Sequence, residues 1–210
     1  RLAYFELVKP PEKASQFEMD AFVMVHKLLH HAISLTSLSY GTEIEKENGE
    51  VKTLFDKDSL LVLMRTVLEN YLTFFSIYVN PVTKEEKEFR HQVYRYTEEK
   101  VIYERLKIVN SDPDFIALNG LIETVTESQI LTNENKIKDK RDFYEAAMKN
   151  NPVFNNLTKK QKDLIYNKPR SDWKIDGSWY ELAAKAKLKK SYFGYTYNML
   201  SSSVHTGSQS

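Results

Sequence analysis

Apolar residues recur every three or four positions along most of this chain, which is the spacing of helices with one buried face. The first such segment covers residues 16–40 and ends at Gly41. Residues 42–57 are acidic and contain the turn dipeptide Asn48-Gly49, so we predict an exposed loop or a small hairpin there. The residues whose spacing predicts one buried face for the first helix are Phe22, Val25, Leu29, Ala32, Ile33 and Thr36.

Residues 60–79 are the most apolar segment of the chain. Asp56 or Asp58 can cap the start of a helix there, and Asn80-Pro81 ends it. Arg65 and Glu69 lie near the middle, and a charged side chain there costs roughly 2.5–3.5 kcal/mol on membrane insertion. We therefore predict a buried central helix at 60–79 and no membrane association.

The second half of the chain contains further helix boundaries. Shorter helices are predicted at 141–149 and 159–166, and a last helix from about residue 191 to 205. The helices that start near 83 and 113 are predicted to reach about 109 and 131. Three starts are marked by capping residues, or by proline after a capping residue: Thr83 with Glu86, Asp112 with Pro113, and Ser178 with Glu181.

These elements predict an all-α fold, a single bundle of about six or seven helices in one domain over residues 1–210. The chain has 210 residues, of which 41% are hydrophobic, and only 6 Gly and 6 Pro. Few turn residues favour long helices over many strands. The chain begins at Arg1 and stops at Ser210 after Thr-Gly-Ser-Gln, so we expect the native protein to extend further at both ends.

The absence of cysteine excludes disulfides, a thiolate zinc site and a cysteine nucleophile. It fits the reducing cytoplasm, which is the location that we predict. No motif for a cofactor is found, and none is predicted.

Charge is distributed unevenly, although the net charge is only +1. Residues 1–135 hold 15 Lys and Arg against 22 Asp and Glu, whereas residues 136–191 hold 15 against 7. Aromatic residues interleave the basic segment 136–191, so it could bind RNA or another phosphate-bearing ligand. The simpler explanation is a set of amphipathic helices with solvated lysine faces.

Arg65 and Glu69 are four residues apart, so they lie on one helical face and can form an ion pair. Arginine precedes glutamate, which is the less favourable order for an isolated surface pair, so tertiary contacts are expected to select it. A polar stripe that includes Asn70 and Thr73 continues along the same face. Two interpretations stay open: a buried pair that fixes helix register, and an anion-binding arginine oriented by glutamate.

Ser201 and His205 lie one turn apart in the last predicted helix. We predict that His205 comes close to Arg65 and Glu69, with Ser201 and Tyr94 alongside, because polar groups in apolar helices need partners. His205 is the best candidate for a general base, since histidine titrates near neutral pH. No Gly-x-Ser-x-Gly motif or Gly-rich phosphate loop supports a hydrolase or a nucleotide fold.

His26 and His30 are also one turn apart and could in principle hold a metal ion, with Glu69 or His205 as a further ligand. No sequence motif fixes a third ligand. We therefore predict no metal site, and surface or capped histidines instead.

Several stretches together resemble an uncharacterised bacterial family of all-helical proteins, known mainly as a domain of unknown function. They are residues 63–69, 90–104, 179–188 and 197–205, and the resemblance covers roughly residues 55–207. Their shared pattern is Arg-x-x-x-Glu followed by Tyr-x-x-Leu-Ser-x-x-x-His. The resemblance implies a helical fold but no established activity.

The helical layout is more weakly similar to HEPN domains, many of which are metal-independent ribonucleases in toxin and phage-defence systems. Those enzymes carry Arg-x(4–6)-His on one helix, whereas the residues four to six before His205 are Ser201, Leu200 and Met199. The arginine of that motif is therefore missing, and only Arg65 from another helix could replace it.

Two functional hypotheses follow. In the first, the protein acts on RNA or another phosphate-bearing partner, with His205 as base and Arg65 stabilising phosphate charge. In the second, it is a non-catalytic helical interaction or self-association module, and its polar cluster only stabilises the core. The sequence leaves open whether the chain is an enzyme.

Overall fold

The structure is a computed structural model that describes residues 13–111, 127–166 and 177–205, with side chains at 13–108, 133–166 and 177–200. The predicted all-α fold is confirmed. These residues form eight α-helices and one antiparallel hairpin: α1 (Gln16–Ser39), β1 (Thr42–Glu45), β2 (Val51–Leu54), α2 (Lys57–Phe74), α3 (Lys84–Ser111), α4 (Glu127–Asn150), α5 (Pro152–Asn155), α6 (Lys159–Tyr166), α7 (Trp179–Lys185) and α8 (Lys190–His205).

The chain divides into two compact units. The first combines Arg1–Asn80 with Asp176–Ser210, and the second is Pro81–Ile175. Each contains helices that pack on one another: α2 on α1, α7 and α8 in the first, and α3 on α4 and α5 in the second. The single domain over 1–210 stays a prediction, because two units can belong to one domain or to two.

Helix α1 starts with a capping box that the sequence analysis does not identify. Ser15 accepts from the backbone N–H of Glu18, and the Glu18 carboxylate accepts from the backbone N–H of Ser15. The helix is followed by Gly41 at a φ of +73°, a conformation that glycine adopts without steric cost. Residues 42–57 contain the hairpin that was one of the two predicted alternatives.

Helix α2 begins where predicted, because Asp56 accepts a hydrogen bond from the backbone N–H of Ser59. It continues into a π-helical turn, Phe75–Val79, before Pro81. The segment 60–79 is less buried than predicted. Four of its residues are buried (Leu61, Leu72, Ser76 and Ile77), whereas Val62, Met64, Tyr71 and Val79 are at least 36% exposed.

Among the described residues, Lys57–Val79 is the one helical segment that is long and apolar enough to cross a membrane by length and composition. The core helix of a soluble protein passes the same test, so this is weak evidence. An ion pair between Arg65 and Glu69 interrupts it. The absence of membrane association therefore stays a prediction.

The second unit has its own apolar core between α3, α4 and α6. Two side chains hold this unit together over long sequence distances: Lys100 donates to the backbone oxygen of Tyr166 at 2.7 Å, and Asn151 Nδ2 donates to that of Glu85 at 3.1 Å. Asn151 also caps α5, a one-turn helix that the sequence analysis does not predict. The core side chains are Phe89, Val93, Tyr96, Met148 and Ile165.

The predicted break between residues 131 and 141 is wrong, because residues 127–150 form one continuous helix, α4. The physical reason is that residues 127–150 contain neither glycine nor proline, so a polar sequence continues the helix without a break. The predicted start at Asp112-Pro113 lies outside the described residues.

Helices α7 and α8 are joined by a tight turn that brings α8 back onto α2. The predicted capping box of Ser178 and Glu181 is confirmed at the start of α7. At its end, Lys187 and Leu188 donate to the backbone oxygens of Ala184 and Ala183, at 3.0 and 2.9 Å. These two bonds form a Schellman motif, which reverses the chain direction before α8.

Candidate functional site

The predicted pair of Arg65 and Glu69 forms on α2 and gains a third member from α8. Arg65 Nε donates to Glu69 Oε1 at 2.9 Å, and the Tyr197 hydroxyl donates to the same oxygen at 2.9 Å. The Arg65 guanidinium also lies 5.5 Å from the centre of the Tyr197 ring, within cation–π range. We call Arg65, Glu69 and Tyr197 the ion-pair cluster.

The electrostatics of the ion-pair cluster favour a protonated, neutral Tyr197 beside Arg65 and Glu69, whose opposite charges compensate each other. Burial, and then the hydrogen bond to Glu69, raise the pKa of Tyr197 to about 12. The hydrogen bond to Glu69 also raises the pKa of Arg65. The side chains of Arg65 and Glu69 are 26% and 29% exposed, so the cluster is not enclosed in a dry core. Because the pair is neutral as a whole, it offers an anion little net attraction.

Aromatic rings hold Tyr197 in place. Phe193 stacks on it at 5.4 Å between ring centres, and Tyr180 of α7 meets both rings edge-on, at 5.5 Å from Phe193 and 6.1 Å from Tyr197. The Tyr180 hydroxyl donates to Asn198 at 2.6 Å. On α2, the Thr73 hydroxyl donates to the backbone oxygen of Glu69 at 2.7 Å. The cluster is thus positioned by packing between three helices of one unit.

A cavity of about 270 Å³ lies next to the ion-pair cluster. The two share a wall, since Phe193 lines the cavity and stacks on Tyr197. The wall is almost entirely apolar, with lysine chains contributing their aliphatic stems. The lining residues are Leu68 of α2, Lys187, Leu188 and Lys189 of the turn, and Tyr192, Phe193 and Thr196 of α8.

Exposed basic and aromatic residues line this cavity or are adjacent in the sequence to residues that line it. Tyr192 and Tyr195 are each 74% exposed. Lys187, Lys189 and Lys190 precede them and are exposed as well. Together these five residues form what we call the basic–aromatic surface. Its three lysines belong to the predicted basic segment 136–191, at the part that lies in the first unit, and its two tyrosines follow that segment.

Lys187 has an unusual backbone. Its φ is +59°, and no other residue except glycine has a positive φ among the described residues. The position after a Schellman-type helix end is normally glycine, because a Cβ atom is sterically unfavourable there. A lysine at this position therefore costs stability.

The structure only partly tests the predicted meeting of Arg65, Glu69, Ser201, His205 and Tyr94. The helix α8 continues to His205, so Ser201 lies one turn and His205 two turns beyond Tyr197. The side chains of Ser201 and His205 lie outside those that the structure describes, and their approach to Arg65 stays a prediction. Tyr94 belongs to the second unit, where its hydroxyl donates to Glu98 of the same helix.

The histidines of α1 have contacts within the first unit. His26 Nδ1 lies 3.0 Å from the backbone oxygen of Phe22, and His31 Nδ1 lies 3.1 Å from Asn70 Nδ2. His30 is exposed. Over the described ranges, no three His, Asp or Glu side chains are grouped so that they could hold a metal ion.

Tyr197 is the site residue that the sequence analysis misses. It stands in the resemblance pattern Tyr-x-x-Leu-Ser-x-x-x-His, and it lies one turn before Ser201, so the spacing of the polar positions on α8 could have indicated it. Its partner Glu69 lies 128 residues earlier, which local spacing cannot predict.

A family model of proteins of unknown function, DUF5677, matches residues 28–210. The chain belongs to DUF5677. The match includes the ion-pair cluster, the cavity and the basic–aromatic surface, and it agrees with the predicted resemblance to an uncharacterised helical domain. No curated protein and no solved structure matches the chain. The function of this DUF5677 protein therefore has to be argued from its own residues.

Proposed function

We propose that this DUF5677 protein binds a phosphate-bearing partner, single-stranded RNA, through the basic–aromatic surface. The observation that carries the proposal is the pair of exposed tyrosines, Tyr192 and Tyr195, beside three exposed lysines at the edge of an apolar cavity. Exposed aromatic rings are costly in water, so a surface that presents two of them next to positive charge suits a charged, ring-bearing ligand.

Each part of this surface has a physical role in such binding. Lysines neutralise backbone phosphates and release counterions, which supplies affinity without sequence preference. Tyrosine rings stack on unpaired bases, which are accessible in single strands and not inside a duplex. Arg65 is a weaker source of affinity than the lysines, because Glu69 already compensates its charge.

Fluorescence anisotropy with a labelled single-stranded RNA tests the proposal. We expect the logarithm of the binding constant to fall linearly with the logarithm of salt concentration. Lys189→Ala and Lys190→Ala should each reduce the magnitude of that slope by about 0.7, the value for one single-strand phosphate contact. Tyr192→Ala should weaken binding by about 1–3 kcal/mol, the worth of one base stack.

Lys52→Ala is the matched control, because Lys52 is an exposed lysine on β2 of the same unit. It should leave both the affinity and the salt slope unchanged. If wild-type protein shows no salt-sensitive binding, or if Lys52→Ala weakens binding as much as Lys189→Ala, the basic–aromatic surface is not the binding site.

Cleavage of the bound RNA is the second step of the first functional hypothesis. The proposal assigns the general base to His205 and phosphate stabilisation to Arg65. In an assay with purified protein and mixed RNA, His205→Ala and Arg65→Ala should both abolish cleavage while circular dichroism shows an intact helical fold. RNA that is bound but never cleaved by the wild-type protein would limit the function to binding.

The alternative function, a self-association module, is favoured by a different observation. Apolar side chains are exposed along α1 and α2, among them Val25 at 46% and Val62 at 47%. A second copy of this chain could bury them. Sedimentation velocity over a range of protein concentrations should then show a dimer that Val25→Lys and Val62→Lys weaken. A monomer at all concentrations would exclude this alternative.

A further inference from the structure

The proposed contacts to phosphate do not involve the apolar wall of the cavity. Leucine, phenylalanine, tyrosine and threonine residues line it together with Lys187 and Lys189, and the lining surface is almost entirely apolar, so a phosphate group inside it would lose its hydration without gaining partners. The ammonium groups of the two lysines can reach solvent at the edge while their stems line the wall. The cavity therefore suits an uncharged, flat or apolar group that is attached to an anion outside.

The backbone of Lys187 is a second, independent observation at the same place. Its left-handed conformation would be relieved by glycine, which is the usual residue after a helix end of this type. A lysine here is unfavourable for the fold, and this lysine is one of the residues that line the cavity. Such local strain is typical of positions where a side chain serves a ligand.

We infer that the cavity takes one unpaired nucleobase of the bound strand, with Lys187 contacting the phosphate next to it. This inference rests on the proposed RNA binding. The π-face of the base packs against the apolar wall, and its polar edge faces the open side, where water can hydrogen-bond to it. Because the wall has almost no polar atoms, the site accepts any base that fits rather than one particular base.

Competition binding with two ligands of equal charge tests the inference. The first is a short single-stranded RNA, and the second is an oligoribonucleotide of the same length whose residues are abasic. We expect the abasic strand to bind at least about 5-fold more weakly, because it loses the base in the cavity together with the bases on the exposed tyrosines, and one base stack alone is worth about 1–3 kcal/mol. Equal affinities would overturn the base site and all base stacking and leave only salt-sensitive phosphate binding, whereas no binding of either strand would overturn the proposed RNA binding itself.

Thr196→Phe separates the cavity from the exposed tyrosines. The added ring fills the cavity without changing charge, so it should weaken binding of the base-bearing strand and leave the abasic strand unaffected. Thr36→Phe, at an exposed threonine of α1, is the matched control and should change neither affinity. If Thr196→Phe binds the base-bearing strand as the wild type does, the cavity is not the base site.

Lys187→Gly gives a readout that a purely structural lysine cannot produce. We expect the Tm to rise by roughly 2 °C because the left-handed strain is removed, while RNA binding weakens. Lys187→Arg keeps the charge and should retain most of the affinity. A lower Tm for Lys187→Gly, or unchanged RNA affinity, would contradict the role of Lys187 at the cavity.

Discussion

At the scale of single residues, the hydrogen bond from Tyr197 to Glu69 joins α8 to the ion pair of α2. Without it, Arg65 and Glu69 would be a pair within one helix, of the kind that contributes a few tenths of a kcal/mol. The tyrosine gives Glu69 a second donor and places an aromatic ring under the Arg65 guanidinium. The ion-pair cluster therefore stabilises packing between two helices that are far apart in the sequence.

Tyr197→Phe removes this hydrogen bond and keeps the ring. We expect the free energy of unfolding at pH 7 to fall by about 1–2 kcal/mol, because a bond to a charged acceptor is lost and Glu69 keeps only Arg65. Urea denaturation followed by circular dichroism measures the change. Tyr195→Phe is the control, since the Tyr195 side chain is 74% exposed. Equal stability of Tyr197→Phe and wild type would show that the bond contributes nothing.

The raised pKa of Tyr197 also predicts how stability depends on alkaline pH. The folded protein holds the phenolic proton more tightly than the unfolded chain, with a pKa of about 12 against an ordinary value of 10.0. The contribution of this proton is fully present below pH 10 and is lost between pH 10 and 12.

Tyr197→Phe cannot titrate at this position, so its stability should fall less steeply than that of the wild type across this window. Tyr96, whose pKa is also raised to about 12 by burial, is present in both proteins and does not affect the difference. Urea denaturation at pH 8, 10 and 11.5 measures it. Parallel stability curves for the two proteins would contradict the assignment.

At the scale of elements, caps and turns set where helices begin and end. Asn151 does this for α5, with its Oδ1 accepting from the backbone N–H of Val153 at 3.0 Å, and its Nδ2 also ties α5 to the start of α3 through Glu85. It is only 7% exposed, so its polar atoms depend on these two partners.

Asn151→Ala should lower the free energy of unfolding by about 2 kcal/mol, because the cap is lost and the Glu85 oxygen loses a buried donor. Asn151→Ser keeps a capping oxygen but has no group that reaches Glu85, so it should fall between alanine and wild type. Chemical denaturation of the three proteins provides the comparison. If serine and alanine destabilise equally, the cap contributes nothing.

At the scale of the whole molecule, each compact unit has fully buried apolar side chains of its own. Leu72 is 0% exposed in the first unit and Met148 is 0% exposed in the second. Truncating either to alanine leaves a cavity, which typically costs about 2–5 kcal/mol. The two substitutions therefore probe the predicted single domain from each of its two compact units.

We expect calorimetry to show one cooperative transition that both Leu72→Ala and Met148→Ala shift downward, by about 2–4 °C for each kcal/mol lost. Met199→Ala, at a residue that is 39% exposed, is the control and should shift it much less. Two transitions, each lowered by only one of the core substitutions, would show two independently folding domains and contradict the prediction.

The sequence by itself determined the local features of this protein. Helix periodicity predicted an all-α fold, Asp56 and the Ser178–Glu181 pair predicted helix starts, and the spacing of Arg65 and Glu69 predicted their ion pair. These features depend on groups within four residues of one another, so their geometry follows from helix dimensions alone.

Tertiary structure decided the features that depend on distant residues or on competing local preferences. The bond from Tyr197 to Glu69 and the cavity between α2, the α7–α8 turn and α8 require a chain reversal that places α8 on α2. The partial exposure of 60–79 depends on how many neighbours cover that helix, and apolar composition does not give this number. The positive φ of Lys187 could not be predicted from the sequence either. Lysine does not favour this conformation, and the surrounding fold imposes it.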